Sequence, residues 1–496
     1  MLKQLLGLIF VLHSTTAINS RKNVLFLVSD DMRPQLGSYE GKDFPAPVHP
    51  KMHTPNLDAL AGKSLLLKRA YVQVALCNPS RTSLLTSRRP DTTHVYTIGP
   101  YFRKVGGNFT TLPEYFKING YASIGMGKVF HPGKSSGGDD PISWTEPYFH
   151  GVPNFETNQN SWVAVPDEQL KKEPLIDEQL ADHAVKTLRK VAPKAISGEQ
   201  PFFVAVGFHK PHLPFVFPKS FLDLYPNVSL PDNPYAPVNM PDIAWNVYGG
   251  LLMFHDIKSL NASGGINTTL PDSVVLDLRR AYYSALSWTD SLVGRVIAEL
   301  DKLGLTNSTI ISFWGDHGWQ LGEHGEWCKQ TNFELATHAP MMIHIPGVTD
   351  GGVSTRELTE YVDLFPTLAE AAGLPAVPKC PENSTLVDLC TEGTSLIPLV
   401  SNPDTPVKEA AFSQYERDNE AVMGYTVRTD SFRYTEWAAF QAAPVYQPNW
   451  DKLSGVELYD HTLDPEENVN HADDAKYSDI RSQLSKLLHT GYRGGL

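Results

Sequence analysis

The sequence predicts an α/β/α sandwich with a smaller antiparallel-sheet subdomain at the C-terminus. Three observations carry that expectation. The first is a set of apolar runs that end abruptly in polar side chains. Asn23–Ser29 (NVLFLVS) runs into Asp30, Asp31, Met32 and Arg33; residues 201–208 (PFFVAVGF) run into His209, Lys210, Pro211 and His212; residues 308–314 (STIISFW) run into Gly315, Asp316 and His317. Unbroken apolar strands belong inside a sheet covered on both faces. The second is the helical patterning between them. Residues 279–303 place Leu286, Val293, Val296, Ile297 and Leu300 on one stripe, with Gly304 positioned to end the helix. The third is a change of texture after the loop SNPDTP at 401–406: short strand-like pieces at 410–415, 424–429, 432–437 and 457–459, then a helix at 478–488. Residues 18–402 read as the larger domain and 403–496 as the smaller. In such sheets ligands gather beyond the carboxyl ends of the strands, where the polar clusters fall.

The composition is that of a globular chain: 496 residues, 41% hydrophobic and 20% charged, with a net charge of −13. That balance argues against nucleic acid as a partner, so any anionic substrate must be drawn by a local pocket. Lys3, the apolar run 5–12 and the small residues Thr15 and Ala17 read as a signal peptide over 1–17. The run is too short to span a bilayer, so no membrane insertion is expected. Six N-x-S/T sequons, at Asn108, Asn227, Asn261, Asn267, Asn307 and Asn383, agree with passage through the secretory route.

Of the four cysteines, Cys380 and Cys390 can close a short loop in an oxidising compartment. Cys77 and Cys328 remain, either free or paired with each other.

Cys77-Asn78-Pro79-Ser80-Arg81, continuing through Leu85 and Thr86 to Arg88, resembles the signature of the formylglycine-dependent sulfatases, C-x-P-S-R followed by L-T-x-R. The resemblance implies an alkaline-phosphatase-like fold and oxidation of Cys77 by a formylglycine-generating enzyme. It also implies hydrolysis in which one hydroxyl of the hydrated aldehyde attacks sulfur and the other expels sulfate. Family members usually carry Gly after the Leu-Thr pair; this chain has Ser87.

The resemblance further implies one divalent metal ion, Ca²⁺, held by Asp30, Asp31, Asp316, His317 and the modified Cys77. Carboxylates favour a hard cation, while the imidazole of His317, where many members have Asn, leaves the ion's identity partly open. Gly127-Lys128-Val129-Phe130-His131 matches a G-K-x-x-H segment, so Lys128 and His131 are expected to hold the nucleophile and a sulfate oxygen. Arg81, one turn beyond Cys77, is expected to stabilise the hydroxylate. His212 and Lys329 are expected to bind sulfate and protonate the leaving oxygen. Mildly acidic pH would keep His131 and His212 charged if they titrate near roughly 6.5.

The blocks DDMRP, GKVFHPG, VGFHKPHLPF, GDHGWQLGEHGEW and YVDLFPTLAE narrow the resemblance. They point to the family's lysosomal exo-enzymes that remove the 2-O-sulfate of terminal iduronate from heparan- and dermatan-type oligosaccharides. Sulfated glycosaminoglycan is then the expected substrate, with Lys329, Trp319 and Arg33 near the sugar. Cys328 departs from a small non-thiol residue, and residues 156–178 lack a cysteine pair. The rivals are an exo-sulfatase for another sulfated sugar, a phosphodiesterase or phosphonate hydrolase of the same superfamily, and a non-catalytic glycan-binding paralogue.

Overall fold

The computed structural model describes residues 21–40 and 48–494; the expected signal peptide lies outside them. Seven strands form the central sheet: β1 (Asn23–Ser29), β2 (Leu65–Tyr71), β3 (Ala122–Gly127), β4 (Phe202–Phe208), β5 (Thr309–Gly315), β6 (Met341–His344) and β7 (Val353–Glu360). Their order is β7-β2-β6-β5-β1-β4-β3, with β6 alone running antiparallel to its neighbours. The principal helices are α1 (Cys77–Thr86), α2 (Ile176–Ser197), α3 (Asp272–Lys302), α4 (Leu364–Ala371) and α5 (Ser478–Thr490).

Alternation along β1 shows why its run is apolar throughout. Leu25 and Leu27 join Leu180, Leu188, Leu278 and Val296 of α2 and α3 on one face. Val24, Phe26 and Val28 join Leu84, Leu85, Leu364 and Phe365 of α1 and α4 on the other. Because neither face meets water, β1 shows no polar alternation. The helix expected at 279–303 begins earlier, at Asp272, and ends as the sequence indicated. Gly304 takes φ +69°, with Gly304 N–H on the Asp301 carbonyl and Leu305 N–H on the Leu300 carbonyl.

The C-terminal sheet is a four-stranded antiparallel meander, β8 (Ala411–Arg417), β9 (Val422–Arg428), β10 (Phe432–Gln441) and β11 (Gln447–Asp460), with α5 packed on it. It docks through buried charge. Glu360 at the end of β7 receives Arg89 at 2.7 and 2.6 Å and Lys408 at 2.8 Å, and accepts the Phe412 N–H. Glu334 receives Arg428 and Arg433 from the meander. Cys380 and Cys390 form a disulfide, and Cys77 and Cys328 are both buried free thiols, so they do not pair with each other. No helix among the described residues is long and apolar enough to cross a membrane. All six sequon asparagines are exposed, as glycosylation requires.

Candidate active site

The polar clusters converge at the carboxyl ends of β1 and β5. Cys77 is the first residue of α1, so the positive end of that helix faces the site. Asp30 and Asp31 leave β1, and Asp316 and His317 leave β5, its immediate neighbour. One donor atom from each of these four and Cys77 Sγ all lie within 4.8 Å of one another, and all five residues are buried. The backbone is bent to achieve this. Asp31 adopts φ +60°, and its N–H donates to Asp316 Oδ1 at 2.8 Å. Ser80, one turn along α1, donates through Oγ to the Asp316 carbonyl.

Cations enclose the carboxylates. Lys329 Nζ lies 3.0 Å from Cys77 Sγ and is paired with Asp31; Lys128 Nζ lies 3.8 Å from the same sulfur and is paired with Asp30. Lys329 is delivered by the short ribbon Gln320–Leu321 with Trp327–Cys328. Its two neighbours, Cys328 and Gln330, have φ of +71° and +75°, left-handed values that non-glycine residues adopt at a cost. Gln330 N–H on the Ala75 carbonyl, two residues before Cys77, and Asn246 Nδ2 on the Lys329 carbonyl hold this kink.

Burial, with the negative charge of Asp30, pushes the Asp31 carboxyl up to about 6 against the pull of Lys329. Burial likewise pushes Asp316 up to about 7, against the pull of Arg81. Asp30 is buried as deeply, but Lys128, His212 and Arg81 outweigh that and hold it well below the usual carboxylate range. Burial and Asp30 push the Cys77 thiol up, so it is an un-ionised thiol rather than a ready nucleophile. The site fits a divalent ion. It gathers three buried carboxylates and an imidazole, and Asp31 Oδ2 is buried with no hydrogen-bond partner.

The other expected site residues are placed as follows. Arg81 aims no N–H at residue 77. Its Nε and Nη2 hold Asp316 at 3.0 Å, Nη2 also holds Asp30 at 2.9 Å, and Nη1 binds the carbonyls of Lys128 and Val129. It brackets the carboxylates. Arg33, expected near the sugar, is fully buried, its guanidinium on Glu323 at 3.1 Å and on the Trp319 carbonyl at 3.2 Å. It ties the β1 loop to the β5 loop. Trp319 is also buried, with Lys329 Nζ 5.4 Å from its ring centre. His212 turns Nε2 toward the site, 3.8 Å from Asp31 Oδ2, with Nδ1 on the Leu213 carbonyl.

The two histidines are shifted toward the neutral form. Burial, reinforced by Lys128, pushes His131 down to about 3 and His212 well below its ordinary value. Both shifts have the same cause: the imidazoles are buried beside lysines that already supply the site's positive charge. Tyr282 on α3 went unnoticed in the sequence. Its hydroxyl accepts from Arg33 N–H at 3.0 Å and donates to the Asp31 carbonyl at 2.8 Å. A phenol in a stripe of buried apolar residues was the only available signal.

Comparison with known proteins agrees with this geometry. Residues 22–374 match the Sulfatase family model, and residues 322–493 match the model described as N-sulphoglucosamine sulphohydrolase, C-terminal. The chain belongs to the sulfatase family, and it is a sulfuric ester hydrolase. It is 37% identical to iduronate 2-sulfatase of Mus musculus, over 93% of each chain, and 37% identical to iduronate 2-sulfatase of Homo sapiens, over 95% of each. A solved structure in complex with its substrate D-glucosamine-2-N,6-O-disulfate shares the fold, with a TM-score of 0.71 at 18% identity over 96% of this chain and 98% of that one.

Proposed function

We propose that this enzyme is an exo-sulfatase that removes the 2-O-sulfate of a terminal, non-reducing iduronate from heparan- and dermatan-type oligosaccharides, in a lysosome reached through the secretory route. The observation that carries the reading is the Cys77 sulfur set between two lysines and a buried carboxylate cluster, in a chain 37% identical to iduronate 2-sulfatases over nearly its whole length.

Residue 77, once oxidised by a formylglycine-generating enzyme, would supply the geminal diol that attacks sulfur and later releases sulfate. Asp30, Asp31, Asp316, His317 and the modified residue 77 would hold one Ca²⁺, whose charge favours the ionised nucleophile. The chain's own residues do the rest. Lys128 and Lys329, flanking residue 77, receive the sulfate oxygens and offset their charge. The amino end of α1 faces the same anion. Arg81 keeps Asp30 and Asp316 in register without spending a donor on substrate. His212 Nε2, on the open side of Asp31, reaches the ester oxygen. A bound sulfate beside it opposes the downward push of the lysines, which is how this imidazole would gain its proton.

A desulfation panel tests the reading, using enzyme whose residue 77 is verified as formylglycine by peptide mass spectrometry and reconstituted with calcium. The panel holds terminal iduronate 2-sulfate, glucosamine N- and 6-sulfates, and a phosphonate monoester. Turnover confined to iduronate 2-sulfate is expected. Efficient cleavage of a glucosamine sulfate or the phosphonate with iduronate 2-sulfate untouched overturns the substrate. A residue 77 found only as thiol in active enzyme overturns the mechanism.

A further inference from the structure

The segment His209–Pro214, between β4 and the rest of the site, carries Lys210 besides its two histidines. Lys210 is 2% exposed, and its ammonium donates to the carbonyls of His212 at 3.2 Å and Pro214 at 2.8 Å and pairs with Glu156 at 2.7 Å. None of those partners is a site carboxylate. The Lys210 carbonyl in turn accepts from Ser29 Oγ at 2.7 Å and Thr289 Oγ1 at 3.1 Å. Ser29 is the residue immediately before Asp30.

The start of the segment is held from a third direction. Asp177, in the first turn of α2, is fully buried and accepts the N–H of His209 at 2.8 and 3.0 Å, the N–H of Lys210 at 2.8 Å, and His209 Nδ1 at 3.1 Å. Its carboxylate thus takes up the backbone donors that β4 leaves behind, as a cap does for a helix. Strand β1, helices α2 and α3, and Glu156 all clamp one short loop. The side chain that the loop presents toward Asp31 is His212.

We propose that Lys210 and Asp177 are positioning residues for the sulfatase reaction, acting through His212. The reason is mechanical. Among the described residues the His212 ring hydrogen-bonds only the next carbonyl, through Nδ1, so its placement depends on where the loop backbone is held. A misplacement of about 1 Å at a reacting group costs on the order of 10²-fold in rate. Buried donors that hold the supporting backbone are therefore felt in turnover rather than in affinity. The inference rests on the reading that His212 contacts the ester.

The test is a double-mutant cycle on the formylglycine-bearing, calcium-reconstituted enzyme, with hydrogen exchange as an independent readout. Lys210→Met keeps the volume of the side chain and removes its donors; Asp177→Asn keeps the shape and weakens the clamp at the other end. Each is expected to lower kcat by roughly 10–100-fold with KM within about twofold. Each should also speed backbone exchange at residues 209–216 while the strand β1 stays protected. On a His212→Ala background, either substitution should cost little more, because the group through which it acts is gone. If His212→Ala is impaired and Lys210→Met and Asp177→Asn add their full losses to it, the positioning inference is overturned and the reading of His212 stands. If His212→Ala turns over at the wild-type rate, the reading of His212 fails and the inference fails with it. Should Lys210→Met not fold, Asp177→Asn decides between the same outcomes.

Discussion

Lys329 shows how far a residue's neighbours decide its role. By sequence it could serve the sugar carboxylate or the sulfate. The structure puts its ammonium 3.0 Å from the Cys77 sulfur, so it belongs to the reacting centre. Lys329→Ala is therefore expected to lower kcat/KM by about 10²–10³-fold for a sugar sulfate and an aryl sulfate alike, as loss of a donor to developing charge does elsewhere. Steady-state kinetics on both esters check this. A loss confined to the uronate substrate would place Lys329 at the carboxylate instead. Asp30, Asp31, Cys77, Asp316 and His317 were legible as a candidate cluster through the family resemblance, helped for the two Asp-containing pairs by their place at strand ends, and the structure brings the five together. Arg33 and Arg81 were legible only as cations. Which acceptors a guanidinium's N–H groups meet depends on segments hundreds of residues away, here Glu323 and Asp316.

At the scale of the element, helix α1 is the instructive case. Its last residue is followed by Ser87 in a left-handed conformation, φ +53°, at the position where relatives usually carry glycine. Such a backbone costs a non-glycine residue roughly 1–2 kcal/mol. The serine offsets that cost through its hydroxyl, which donates to the Val362 carbonyl at 2.5 Å and meets Thr391 Oγ1 at 2.7 Å. Removing the hydroxyl while keeping the strain is therefore the worse change. Ser87→Ala should destabilise the protein by about 1–3 kcal/mol, whereas Ser87→Gly should stay within about 1 kcal/mol of wild type. Urea unfolding of the two variants checks the order. A Ser87→Ala variant as stable as the wild type would show that the hydroxyl contributes nothing. Arg88 completes the device: buried, it donates to the Ser384 carbonyl at 2.6 Å and to the Val387 carbonyl, so the end of the signature anchors the Cys380–Cys390 loop.

For the molecule as a whole, the joint between the two sheets is ionic and buried. Burial alone would raise the Glu360 carboxyl, but Arg89 and Lys408 reverse that and lower it to about 2, from an ordinary 4.5. A carboxyl lowered in the folded state contributes stability that is complete above about pH 4.5 and is lost as pH falls toward about 2. The joint thus survives mildly acidic pH. Glu360→Gln leaves Arg89 and Lys408 short of their partner and should cost about 3–5 kcal/mol at neutral pH. The variant's stability should also vary less than that of the wild type between about pH 4.5 and 2. Thermal unfolding across pH checks both, and an unchanged pH dependence would remove Glu360 from the account.

The sequence by itself determined the class of fold, the strand-end clusters and the signature around Cys77. Those properties are written in local periodicity and in a contiguous motif, and both can be read without knowing what lies opposite. It also showed that residues 401–406 begin a change of architecture, because loop composition is local too. Tertiary structure decided the rest. It placed β6 antiparallel beside β5, paired Glu360 with Arg89 and Lys408, and set Lys210 against Glu156 and Arg33 against Glu323. It pushed His131 and His212 toward the neutral form through burial beside Lys128. A buried charge takes its role from the partners that replace water around it, and those partners are chosen only when the chain has folded.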